Sequence, residues 1–155
     1  MSPPPFSWDD WYALVGGRSI RIEEVDDILR QIYNDQYERF EGEIADSRVE
    51  FDSPAEAARH LKDKAAEFGA DIVGICEIEP SDVYRGRVIT DKYAIAVGQR
   101  MRWREFQVVP SRESAIECLR VYYTLGETVI KLATYLRSIG YACKKIGRAS
   151  CRERV

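Results

Sequence analysis

The chain has 155 residues, 45% of them hydrophobic and 32% charged, with a formal net charge of −3. That suits one globular domain with an arm, and an acidic chain without a basic cluster speaks against nucleic acid as a partner. No run of about eighteen apolar residues occurs, so no membrane span is expected. The N-terminus shows neither a signal-peptide pattern nor a twin arginine, which points to the cytoplasm.

Residues 1–52 read as a helical arm. Pro3-Pro4-Pro5 forbids helix and favours an extended start. Ser7 can cap a short helix with Asp9 and Asp10 in its first turn, Trp8, Trp11, Tyr12 and Leu14 as apolar anchors, and Gly16-Gly17 as its stop. Gly16-Gly17-Arg18 is better explained as that stop than as a phosphate loop, because no strand precedes it. A second helix is expected from Ile22 to Phe40, where Val25, Ile28, Leu29, Ile32 and Tyr33 repeat at helical spacing. Such an arm needs a surface to pack on.

Residues 53–144 are more regular. Ser53-Pro54-Ala55-Glu56 is a capping box with proline at the first helical position. Ala57, Ala58, Leu61, Ala65 and Phe68 form its apolar stripe, and Gly69 stops the helix. Ile72–Ile78 and Tyr93–Val97 are nearly continuous apolar runs, expected to be strands buried on both faces of one sheet. Between them lies a turn-rich stretch from Ser81 to Asp91, and after them a loop from Arg100 to Pro110.

A long helix follows, capped by Ser114 with Glu117. Ile116, Leu119, Tyr123, Gly126, Val129, Leu132, Ala133, Leu136 and Ile139 keep a helical period to Gly140. Gly126 in mid-helix costs about 1 kcal/mol against alanine, which suggests close approach of another backbone. Tyr141-Ala142-Cys143 would begin a third strand. The pattern is α/β, or α+β if the first two strands pair antiparallel, with the long helix covering a small sheet.

His60 is the only histidine; of the four cysteines, Cys151 falls in the 145–155 tail described below, and Cys76, Cys118 and Cys143 are widely spaced. No zinc site can be built from that pattern, and buried thiols are the simplest reading. Cys76 in particular is expected to be inert in an apolar strand.

Several phrases in order resemble the reductive dehalogenases, corrinoid and iron–sulfur enzymes related to epoxyqueuosine reductase. They are Phe68-Gly69-Ala70-Asp71-Ile72-Val73-Gly74-Ile75-Cys76, Asp82-Val83-Tyr84, Lys92-Tyr93-Ala94-Ile95-Ala96-Val97-Gly98, Val109-Pro110-Ser111, and Leu132-Ala133-Thr134-Tyr135-Leu136-Arg137-Ser138-Ile139-Gly140-Tyr141. The resemblance covers about Glu43 to Cys143. It implies an incomplete, nitroreductase-like corrinoid-binding domain. For a full-length parent it implies a corrinoid (cobalamin) and two 4Fe-4S clusters, an organohalide substrate and an electron donor. The family's motif Cys-x-x-Cys-x-x-Cys-x-x-x-Cys-Pro is absent, as is its proton-donating tyrosine, and Met101-Arg102-Trp103 stands where the family usually has Met-Asp-Tyr. No catalytic or metal-binding residue is therefore assigned.

Tyr122 and Tyr123 are the candidates for contact with the corrinoid or its access channel, against the plainer reading that they pack in the interior. Arg100, Arg102 and Arg104 around Trp103 could meet a carboxylate or phosphate, against a solvated loop. Asp26 with Asp27, and Glu41 with Glu43, read as solvated faces.

The sequence from Ile146 to Val155 back-translates, without a break, into one frame of a common short-read sequencing adapter. Residues 145–155 are therefore expected to be a non-native tail that packs on nothing, and the native frame to continue past Lys144 or Lys145. The reading that results is an N-terminal fragment of a reductive dehalogenase, holding no cofactor and inactive alone. Two alternatives stand beside it. One is a fragment of an epoxyqueuosine-reductase-like tRNA-modifying enzyme, disfavoured by the long aromatic arm and the short connection between the strands. The other is a non-catalytic corrinoid-binding or interaction domain.

Overall fold

The computed structural model describes residues 22–83, 86, 88–107 and 109–143. The expectations for the Ser7 helix, for Tyr84 and for the 145–155 tail lie outside these residues. The first element is α1, Glu23–Gln31, followed without interruption by a π turn, Ile32–Gln36, and a 3-10 turn, Tyr37–Arg39. The span matches the helix expected from Ile22 to Phe40, but the winding changes twice.

Helix α2, Pro54–Glu67, is capped by Ser53 as expected, but the return half of the capping box lands one residue earlier. The Ser53 hydroxyl accepts from the Glu56 amide at 3.2 Å, and Glu56 reaches back to the amide of Asp52 at 3.0 Å. At its other end Gly69 takes φ +107, and Ala70 N donates to Ala65 O at 2.9 Å, closing the last turn. Strand β1, Ile72–Glu77, then pairs antiparallel with β2, Tyr93–Gly98, in the register Ile72 to Gly98 and Glu77 to Tyr93. Antiparallel pairing makes the fold α+β.

Helix α3, Arg112–Ser138, runs 27 residues without a break at Gly126. It starts one turn before the expected cap. Ser111 is the cap residue, and its hydroxyl and that of Ser114 satisfy each other's amides at 3.1 Å. Glu117 is thereby freed for another role.

The core lies where α2 and α3 meet one face of the sheet. Ala65, Leu132 and Leu136 are buried, and Leu61, Phe68, Val73, Ile95 and Val97 pack on them. The cover is thus shared between α2 and α3. The strands are not buried on both faces. Cross-strand pairs alternate, so Val73, Ile75, Ile95 and Val97 face the helices, while Ile72, Gly74, Cys76 and Ala96 lie exposed on the other face. Ile72 retains 69% of its surface.

Tyr141–Cys143 forms no strand. The segment is held by other bonds: Tyr141 N to Leu136 O at 3.0 Å, the Tyr141 hydroxyl to Val49 O at 2.8 Å, and Arg137 to Cys143 O at 3.2 Å. Close backbone approach occurs at Gly140, not Gly126. A Cβ at Gly140, where φ is +86, would lie 2.5 Å from Ser47 O and 2.7 Å from Arg48 Cα. There the 45–49 segment crosses the end of α3, with Ala45 N bonded to Arg137 O and Val49 N to Ile139 O.

Candidate functional site

The arm lies along α3. Its contacts follow one stripe of that helix: Glu24 with Arg112, Asp35 with the Tyr123 hydroxyl at 3.4 Å, Gln36 with the Tyr123 carbonyl at 2.8 Å, and Arg39 with Glu127 at 2.9 Å. Gln36 is fully buried and fills the notch left by Gly126, so a side-chain amide, not a backbone, explains that glycine. Asp26 is also buried, at 2% exposure, which corrects its reading as part of a solvated face. Asp27 is exposed and pairs with Arg30, and Glu41 and Glu43 are exposed as expected.

Tyr122 and Tyr123 are both half-buried. Tyr123 is engaged by the arm through its hydroxyl and its carbonyl. Burial, then the carboxylates of Glu127 and Asp35, push its phenol above the ordinary range. A phenol held protonated in this way is a poorer acid than free tyrosine.

A buried carboxylate that the sequence reading placed in a cap sits at the start of α3. Glu117 is 3% exposed. It takes two bonds from the Arg120 guanidinium, both 2.7 Å, and one from the Arg102 amide at 2.8 Å. The Arg120 bonds come first in holding its carboxyl below the usual range, against the opposing effect of burial. The signal was in the sequence: Glu117 precedes Val121 by four residues and so shares its buried face. Glu117 floors a shallow groove of about 170 Å³ with Arg102, Glu105, Glu113, Ile116 and Arg120 along it. That is smaller than the roughly 300–1,000 Å³ of small-molecule sites. Both arginines are already engaged, and the groove holds no nucleophile. Of the other loop arginines, Arg100 donates two guanidinium bonds to Asp71 Oδ1 at 3.0 and 3.1 Å and its amide to Oδ2 at 2.8 Å, and Arg104 is exposed.

His60 meets the Tyr135 hydroxyl at 2.5 Å, within rings of Phe51 and Phe68. Lys64 lies over the Tyr135 ring at 5.5 Å. This cluster joins α2, α3 and the segment before α2, and its geometry is that of packing.

Cys76 is exposed on the open sheet face, which corrects its expected burial; Cys118 and Cys143 are half-buried. Burial pushes the Cys143 thiol up, away from the thiolate that ligates metal. Among the described residues no group of three or more His, Cys, Asp or Glu side chains converges as a metal site would require. None of their helices is long and apolar enough to cross a membrane.

No protein-family model matches the chain, and no curated protein or solved structure matches it.

Proposed function

We propose that this chain is the amino-terminal portion of a cytoplasmic, corrinoid-dependent reductive dehalogenase, and contributes part of a nitroreductase-like corrinoid-binding domain. One observation carries the reading. Three of the five phrases that resemble the family pack on one another: Phe68 and Val73, Ile95 and Val97, and Leu132, Leu136 and Tyr141 all belong to a single hydrophobic cluster.

The described residues do not fit the cofactors themselves. Cys76 lies on β1, Cys118 on α3 and Cys143 in the segment after α3, whereas a cubane cluster needs four convergent thiolates. Both tyrosines offered for the corrinoid lie on α3, and the polar atoms of Tyr123 are taken by the arm. No chemical step is therefore derived through either group. In this proposal the corrinoid, both clusters and the proton donor are held by residues outside this chain, and the portion described supplies supporting sheet and helix.

The test is to recover the complete gene, load its full-length product anaerobically with cobalamin, iron and sulfide, and assay halide release from organohalides with a low-potential electron donor. Halide release is expected. A full-length protein that binds neither corrinoid nor iron would overturn the proposal.

A further inference from the structure

The hydrogen bonding of Gln36 carries a consequence for the arm. Its Nε2 donates to Tyr123 O, while its Oε1 has no hydrogen-bond partner among the described residues. That oxygen lies 2.2 Å from where a Gly126 Cβ would stand, so it rests against the glycine Cα. Turning the amide over offers no relief, because it would set the oxygen against the Tyr123 carbonyl. Among the described residues the docked arm therefore buries one polar atom with only a weak C–H contact. Undocking returns that atom to water.

Besides Gln36, the arm is held by the buried Asp26 and by pairs at the surface. Glu24–Arg112 and Arg39–Glu127 are partly exposed ion pairs, a class that contributes little. The arm is also wound through a π turn, a rare conformation often found at functional sites. No residue from Glu23 to Phe40 belongs to the core cluster of α2, α3 and the sheet. The chain is tied to the end of α3 first at the Phe40 carbonyl, which accepts from Arg137 at 3.4 Å, and then through Ala45 and Val49. The tether therefore begins at Phe40.

From these observations we propose that residues 23–40 form a displaceable strap, latched by Gln36 in the Gly126 notch and hinged near Phe40. The strap opens as a unit while α2, the sheet and the C-terminal half of α3 stay folded. Opening uncovers Tyr123 and the face of α3 around Gly126.

Hydrogen exchange read by mass spectrometry on the full chain tests it, with wild type, Gly126→Ala and Gly126→Ala/Gln36→Ala compared. In wild type, peptides from 23–40 should exchange at least about tenfold faster than those from α2 and β1, as sub-global opening requires. Gly126→Ala should speed the arm further and leave the core peptides unchanged, since its methyl expels the Gln36 amide. The double variant should bring the arm back toward the wild-type rate. Arm and core peptides that exchange together in wild type, or a Gly126→Ala chain that loses protection throughout, would show one cooperative unit and overturn the strap.

Discussion

Replacing Glu117 with glutamine should lower stability by about 2 kcal/mol. A charge-assisted hydrogen bond contributes roughly 1.5–3 kcal/mol, and the upper bound for breaking a buried ion pair is about 3–5 kcal/mol. The lower figure applies because Arg120 keeps 32% of its side-chain surface and can turn into water when its partner loses charge. Glutamine can still accept from the Arg102 amide, but its NH2 group would face the Arg120 donors. For a chain of this length, about 2–4 °C of Tm accompanies each kcal/mol, so Tm should fall by roughly 4–8 °C.

The effect should depend on pH with a definite sign. The Glu117 carboxyl is held below its ordinary value in the fold, chiefly by Arg120. Its contribution is therefore fully present above the unfolded value, about 4.3 for glutamate, and is lost as pH falls through the lower folded value. Thermal unfolding followed by circular dichroism from neutral pH into acid should show a wide gap between wild type and Glu117→Gln that closes in acid. A gap that is absent at neutral pH, or constant across the range, refutes the reasoning.

Gly140→Ala should destabilise by more than about 1 kcal/mol, because φ is positive there and the methyl meets Ser47 and Arg48 backbone; an unchanged urea midpoint would count against the crossing described. Tyr135→Phe should cost about 1 kcal/mol through loss of the His60 bond, also read from the midpoint, and a neutral result would reduce that contact to mere proximity. Anaerobic reconstitution of the chain should leave it without a stoichiometric iron–sulfur cluster, since its thiols are dispersed; full incorporation would show the cysteine reading to be wrong.

What the sequence made legible was local. Ser53-Pro54-Ala55-Glu56 and Gly69 bound α2 because their hydrogen bonds are made within a few residues. The helix from the Ile116–Ile139 stripe was readable for the same reason, but Val121 and Ile130, outside that stripe, are buried while Ile116, Leu119, Tyr123 and Val129 are only half-buried. Failures came where distant segments decide. Asp26 and Gln36 are buried because α3 lies against them, which no local pattern announces. Ser114 and Glu117 satisfied a capping rule, but Ser111 competed one turn earlier and left Glu117 to Arg120 and Arg102. The strands looked buried on both faces because Gly74, Cys76, Ala94 and Ala96 are small and uncharged; composition does not say whether a second layer covers them. Of the candidate site, sequence named Tyr123 but not the arm residues that engage it.

The most direct test of the proposed identity is to sequence the source gene, in one continuous read, past the codon for Lys145. The proposal predicts an open frame that replaces residues 146–155 and goes on to encode two runs of the type Cys-x-x-Cys-x-x-Cys-x-x-x-Cys-Pro. A read in which Ile146 to Val155 is encoded and followed by a stop, or a continuing frame without those cysteines, would contradict it.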